Sequence, residues 1–73
     1  MDIREAMIKA LRKKYEAVIE EAKATAEVYL HRPVGIGEHP QFIEELDKLI
    51  NTIAEAEDKL TAIRNRFDED IPF

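Results

Sequence analysis

The residues best suited to chemistry are gathered between positions 31 and 40. This segment holds both glycines, both histidines and two of the three prolines of the chain, together with one arginine. Glycine lets a backbone approach a ligand closely, and arginine and histidine donate hydrogen bonds to anions. A helix that starts directly after the segment adds free backbone N–H groups, which favour a negative charge. The pattern predicts a phosphate or carboxylate site formed by His31, Arg32, Gly35, Gly37 and His39.

The same segment has a simpler interpretation as a turn, because glycine and proline are the residues that a connection between two helices requires. Gly35 and Gly37 lack the lysine and the spacing of a P-loop and follow a helical segment, so they form no known nucleotide motif. The segment is nevertheless longer than the roughly 2–5 residues that join many helical hairpins. Both interpretations stay open from the sequence.

A second candidate site is the basic cluster that ends at Tyr15. Lys13 and Lys14 precede this aromatic ring and offer cations to a phosphate-bearing ligand. On a helix the side chains fan out over several directions, so at most two of them serve one site in one subunit. An assembly can bring Arg64 or Arg66 of a neighbouring copy alongside. The alternative is a solvated face that pairs with the acidic end of the chain.

Metal and catalytic sites have weaker support. Glu27 and His31 are four residues apart, His39 is close along the chain, and two histidines with one glutamate can bind zinc or iron. The metal-binding patterns Glu-x-x-His and His-Glu-x-x-His are both absent, and so are cysteine and serine. We therefore predict no metal, no cofactor and no enzymatic activity.

Two long segments without glycine or proline flank the 31–40 segment and must position it. In both, apolar residues recur at alternating spacings of three and four, which is typical of helices packed in coiled-coil fashion. The first row consists of Ile8, Leu11, Tyr15, Val18, Ala22, Thr25 and Tyr29. The second consists of Phe42, Leu46, Leu49, Ile53, Ala56, Leu60, Ile63 and Phe67. The pattern predicts α-helices over about 2–31 and 39–68.

Local signals at the helix ends agree with these bounds. Asp2 and Glu5 fit a capping box, and Pro40 suits the first helical position, where a missing N–H costs nothing. Pro33 disfavours the helical conformation of the residue before it. The expected fold is all-α, an antiparallel two-helix hairpin that forms a single domain over 1–73, with a short acidic and apolar tail at 69–73.

The hairpin is expected to oligomerise into a helical bundle. Two helices cover only one side of each other, and Met7, Ile19, Val28, Ile43 and Ile50 widen the apolar rows beyond that side. A dimer that forms a four-helix bundle is the commonest way to bury such rows, although higher symmetric assemblies are possible.

Charge and hydropathy limit the partners. The net charge is −5, which disfavours nucleic acid because phosphate neutralisation provides most non-specific affinity. No apolar run approaches the roughly 20 residues needed to span a bilayer, and the N-terminal residues do not resemble a signal peptide. We therefore expect no nucleic-acid partner, no membrane and an intracellular location.

Three stretches of the chain resemble a group of small proteins from tailed phages of aquatic bacteria. These stretches are Ala26-Glu-Val-Tyr-Leu30, Pro33-Val-Gly-Ile-Gly-Glu-His-Pro40 and Ala54-Glu-Ala-Glu-Asp-Lys-Leu60, and the second is the most specific. The resemblance covers most of the chain and brings no catalytic residues with it. It implies phage origin, with action in the cytoplasm of the infected host or in the virion.

A looser analogy of architecture links such small helical phage proteins to the sponges that sequester the cyclic nucleotides of CBASS or Thoeris immunity. The leading hypothesis is therefore a non-enzymatic phage protein, a homo-oligomer in the host cytoplasm that binds an anionic nucleotide-like ligand for anti-defence. The alternative is a protein–protein interaction or structural module that docks on a host or virion protein through its exposed apolar rows or its Ile71-Pro72-Phe73 tail.

Overall fold

The computed structural model describes residues 2–31 and 39–67, with the backbone alone at His39 and Pro40. Two helices make up this part of the chain, α1 over Ile3–His31 and α2 over His39–Arg66. The predicted all-α class and the two helices are confirmed. The turn at Phe67, whose N–H donates to the Ile63 carbonyl at 2.9 Å, follows α2. Position 68, where α2 was predicted to end, and the predicted tail at 69–73 lie outside the described residues.

Asp2 caps the start of α1, as the sequence predicts. Its carboxylate accepts a hydrogen bond from the Arg4 N–H at 3.0 Å, and its carbonyl accepts one from the Ala6 N–H at 3.0 Å. The carboxylate thus satisfies one of the N–H groups that lack a partner in a first helical turn. The start of α2 at His39 agrees with the predicted range 39–68, although Pro40 is the second helical residue and not the first, as its sequence suggested. Proline is still tolerated there, because that N–H has no acceptor within the helix.

The two helices pack antiparallel, and contacts near both ends of the hairpin fix this arrangement. At the end formed by the chain termini, the Arg4 guanidinium donates to the Phe67 carbonyl at 2.7 Å. At the end nearest the connection, the rings of Tyr29 and Phe42 tilt by 38° with their centroids 5.6 Å apart. The Arg4 contact also places a cation at the carboxyl end of α2, where the helix dipole favours it. The predicted hairpin is therefore confirmed.

The interior of the hairpin is narrow, and its most deeply buried residues are mostly small. Among the described residues only Ala22, Ala26, Ala56 and Ile63 are buried, and no large side chain is fully buried. Alanine at the contact lets two helix backbones come close. Larger residues flank these positions and are half-buried: Ile8, Tyr15, Val18, Ile19, Tyr29, Phe42, Leu46, Leu49, Ile53 and Leu60.

The predicted apolar row of α1 is wrong at Thr25. That side chain is exposed, and its hydroxyl donates to the Glu21 carbonyl at 3.0 Å, while Ala26 takes the buried position. Leu11, predicted to face α2, is also exposed. At about 100° per residue, Ala26 lies about 40° from buried Ala22 and Thr25 about 60° on the other side. The other five residues of the predicted row are buried or half-buried, so the contact face keeps the row and uses Ala26 in place of Thr25.

Within the described ranges, neither helix contains a stretch long and apolar enough to cross a membrane.

Candidate functional site

The part of the predicted loop site that the structure describes is His31. This residue ends α1, and its Nδ1 lies 2.9 Å from the Glu27 carbonyl oxygen and 3.2 Å from a Glu27 carboxylate oxygen. Both partners are one helical turn earlier, so Nδ1 is engaged with the last turn of α1. The exposed ring leaves Nε2 as the nitrogen that a ligand can reach. In this position the main interaction of His31 is with the last turn of α1, at the carboxyl end of the helix.

The remaining loop candidates are Arg32, Gly35, Gly37 and His39. The first three lie outside the described residues, and His39 is described only as the first residue of α2. Arg32 and the glycines are therefore not brought together with His31 by any described contact. The anion site at the loop stays a prediction.

The weaker metal option meets the same limit at His39. Among the side chains that the structure describes, over 2–31 and 41–67, no group of three or more His, Cys, Asp or Glu is placed to hold a metal ion.

The structure separates the members of the basic cluster. Lys13 and Lys14 are both exposed, whereas Tyr15 is half-buried between the helices. Lys13 lines a shallow groove of about 450 Å³ whose other walls are Glu5, Ala6, Lys9 and Ala10, all from α1. A groove formed by one helix and bordered by a carboxylate offers little to an anion. As the sequence predicts, the three residues fan out and do not form one site in a single subunit.

Tyr15 instead has a partner that the sequence analysis missed. The Lys59 Nζ lies 5.3 Å from the centroid of the Tyr15 ring, within the range of a cation–π interaction. Lys59 belongs to α2 and is 44 positions away in sequence. The antiparallel register could have predicted this contact. Since α2 runs back along α1 from the Tyr29–Phe42 contact, Lys59 comes level with Tyr15.

Both helices contribute to a second groove, here called the terminal groove, of about 340 Å³. Its walls are Ile8, Leu11 and Tyr15 of α1 and Lys59, Ala62, Ile63 and Phe67 of α2. The lining is almost entirely apolar, with the Tyr15–Lys59 pair as its polar edge. Such a groove suits an apolar side chain or a planar ring next to an anionic group. It has no pair of acid and base side chains that would break a bond.

The described surface exposes several large apolar side chains. Ile3 is 76% exposed and Ile43 is 67% exposed, although both are large aliphatic residues. The other large exposed apolar residues are Met7, Leu11, Val28, Leu30, Ile50 and Phe67. Single exposed apolar residues are ordinary on a monomer, but a concentration of them on a small domain indicates an interaction surface.

No family model, no curated protein and no solved structure matches this chain.

Proposed function

We propose that this chain is a non-enzymatic phage protein whose hairpins assemble into a helical bundle and act by binding. One observation carries the proposal. Among the described residues, the hairpin buries four, three of them alanines, and exposes eight large apolar side chains. A domain normally buries its large apolar residues first. In this hairpin the exposed large apolar side chains are available for packing against a second subunit.

Stability gives a physical reason for assembly. A single core in a chain shorter than about 70–80 residues rarely supplies more than about 3–5 kcal/mol, and a core made mainly of alanine supplies little. The chain contains no cysteine, so a disulfide does not compensate. Oligomerisation, which is the remaining common means, would bury the exposed rows.

The ligand class that we propose is an anionic, nucleotide-like molecule held between subunits in the host cytoplasm. The phage resemblance and the glycine-containing segment support this choice, and so does the terminal groove, whose walls are almost entirely apolar and whose Lys59 ammonium, over the Tyr15 ring, is a cation for a phosphate. Apolar walls with a few polar groups are common in sites for small molecules. Lys14, His31 and Arg32 are further candidates for phosphate contacts. Sequestration of such a ligand would make the protein an anti-defence sponge.

A thermal-shift titration tests the ligand class. The purified assembly is mixed with a panel of cyclic mono- and dinucleotides, and its melting temperature is recorded. We expect at least one member to raise the melting temperature, and Lys59→Gln to reduce that shift more than the control Lys48→Gln. Lys48 is an exposed lysine outside the terminal groove, paired with Glu45 at 3.4 Å. Unchanged melting with every member of the panel would remove the nucleotide proposal and leave the assembly proposal intact.

The exposed apolar rows also favour a second candidate function, an interaction module that docks on a host or virion protein. The Ile71-Pro72-Phe73 tail is a further candidate contact for that role. Deletion of 71–73 is expected to abolish capture of the partner from infected cells without lowering the melting temperature. Full capture by the shortened chain would exclude the tail as the docking element.

A further inference from the structure

The exposed apolar residues divide into two groups at opposite ends of the hairpin. The terminal patch consists of Ile3, Met7, Leu11 and Phe67, near the first residues of α1 and the last of α2. The loop-end patch consists of Leu30, Ile43 and Ile50, near the end of α1 and the start of α2. Val28 is also exposed but belongs to neither patch.

Helix geometry places the two patches on opposite sides of the hairpin. Each residue advances about 100° around a helix, so Leu30 lies about 80° to one side of buried Ala22 and Met7 about 60° to the other. On α2, Ile50 lies about 120° to one side of buried Ala56, whereas Ala62 lies about 120° to the other.

The terminal groove shows which of these sides correspond. Leu11 of α1 and Ala62 of α2 line that groove together, so they share a side of the hairpin. Leu11 lies between Met7 and the contact face, so Met7 is on that side too. Because the two helices are antiparallel, the flank of α1 and the flank of α2 that face away from the terminal groove also lie on one side of the hairpin. Leu30 and Ile50 are on these flanks, so they share the side opposite Met7. One copy therefore presents the terminal patch on one side and the loop-end patch on the other.

Charge differs between the two ends in the same way. The described residues at the loop end, 20–31 and 41–52, contain six carboxylates and two lysines. Those at the terminal end, 2–14 and 55–67, contain eight Lys or Arg and five Asp or Glu. By the same rule, Lys14, Lys59 and Arg66 lie on the side of the terminal patch, whereas both Lys23 and Glu27 lie on that of the loop-end patch. The two patches are thus apolar centres at ends of opposite net charge.

We propose that the loop-end patch of one copy packs on the terminal patch of the next, in a head-to-tail contact between copies of this chain. The acidic loop end of one copy attracts the basic terminal end of the next, whereas two loop-end patches face to face would bring like charges together. Because the patches are on opposite sides, one pair of copies cannot satisfy both patches of each copy at once. Every copy then has two different neighbours, and the contacts either close into a ring or continue as a chain. This inference rests on the proposed self-assembly and specifies its geometry.

Complementation between two disabled variants tests the head-to-tail contact. Ile50→Glu disables the loop-end patch, and Met7→Glu disables the terminal patch. Each variant alone is expected to be monomeric by native mass spectrometry. An equimolar mixture is expected to give a 1:1 heterodimer, because each variant retains the patch that the other lacks. Asn51→Glu is the matched control, since Asn51 is the exposed neighbour of Ile50 in sequence and belongs to neither patch, and it is expected to assemble like the wild type.

If one of the variants unfolds when it is alone, helix content measured by circular dichroism provides a second test. In that case the mixture is expected to regain the wild-type signal together with the heterodimer mass. Two monomers in the mixture, or Met7→Glu that assembles fully by itself, would overturn the head-to-tail contact while leaving self-assembly in place. A wild-type chain that is monomeric at every concentration would instead overturn the proposed assembly, and the head-to-tail contact with it.

Discussion

The contact between the two helices and the outer surface of this hairpin both contain large apolar residues. In the contact, three alanines and Ile63 are buried and the larger residues beside them are only half-buried, while eight large apolar residues are exposed on the outer surface. In a domain that is complete as a monomer, the large apolar residues are inside, where each stabilises the fold by about 1.5–3 kcal/mol. The large apolar residues left exposed support the proposal that the two helices belong to a larger packing unit, in which a neighbouring copy covers them.

The strongest way to break this comparison is to make the outer face polar. The double substitution Ile43→Glu and Ile50→Glu removes two large apolar residues from the loop-end patch and places charge there. We expect self-association to weaken by about 10²–10⁴-fold, from the loss of about 1.5–3 kcal/mol per side chain. Sedimentation equilibrium measures the change, with Asn51→Glu, at an exposed polar position next to Ile50, as the matched control. Association as tight as in the wild type would mean that the outer face of α2 is not used.

An interior substitution sharpens the comparison from the other side. Ile63 is the one large residue among the four buried positions and is 6% exposed. Ile63→Ala leaves a cavity and is expected to lower the free energy of unfolding by about 2–5 kcal/mol, as measured by urea denaturation. Ile3→Ala, at an exposed position, is the control for the hairpin itself. A smaller loss at position 63 than at position 3 would contradict the assignment of inside and outside.

Loss of the cap at Asp2 tests the end of the hairpin where the terminal patch lies. Asp2→Ala removes the carboxylate that accepts the Arg4 N–H, and it is expected to cost about 0.5–2 kcal/mol. Because Ile3 and Met7 follow directly, fraying of α1 should also weaken association. Asp2→Asn retains a capping oxygen and is expected to restore most of the loss. Thermal melting followed by circular dichroism distinguishes the two, and equal melting of both variants would contradict the cap.

The smallest expected effect concerns the polar edge of the terminal groove. Lys59→Gln removes the cation over the Tyr15 ring, an interaction that contributes about 0.5–1 kcal/mol when exposed to solvent. Lys48→Gln is the control and is expected to change the melting temperature by less. Double substitution with Tyr15→Leu isolates the pair energy, because Lys59→Gln should then have no further effect. An unchanged effect of Lys59→Gln beside Leu at position 15 would contradict the contact.

Much of the hairpin was predictable from the sequence because its signals are local. Periodicity gave both helices, and Asp2 with the prolines gave their ends to within a residue or two. The contact face of α2 also followed its predicted row from Phe42 to Ile63. On α1 the choice at Thr25 was less predictable, because Thr25 and Ala26 both lie within about 60° of buried Ala22 and the spacing alone does not decide between them.

Contacts between the helices could not be predicted from local sequence signals alone. The Tyr15–Lys59 pair depends on the register between α1 and α2, which no short stretch of sequence specifies. The candidate site was correspondingly harder to predict than the fold. Arg32, Gly35 and Gly37 remain a prediction outside the described residues, and the terminal groove only becomes visible once the helices are paired.

Sedimentation equilibrium of the unmodified chain over a range of concentrations tests the central claim most directly. The protomer mass is 8.5 kDa. The eight large apolar residues left exposed predict a species whose mass is a multiple of this value, with helix content that falls together with the mass on dilution. A helical monomer of 8.5 kDa at every concentration would contradict the claim, because the exposed rows would then have no subunit to cover them.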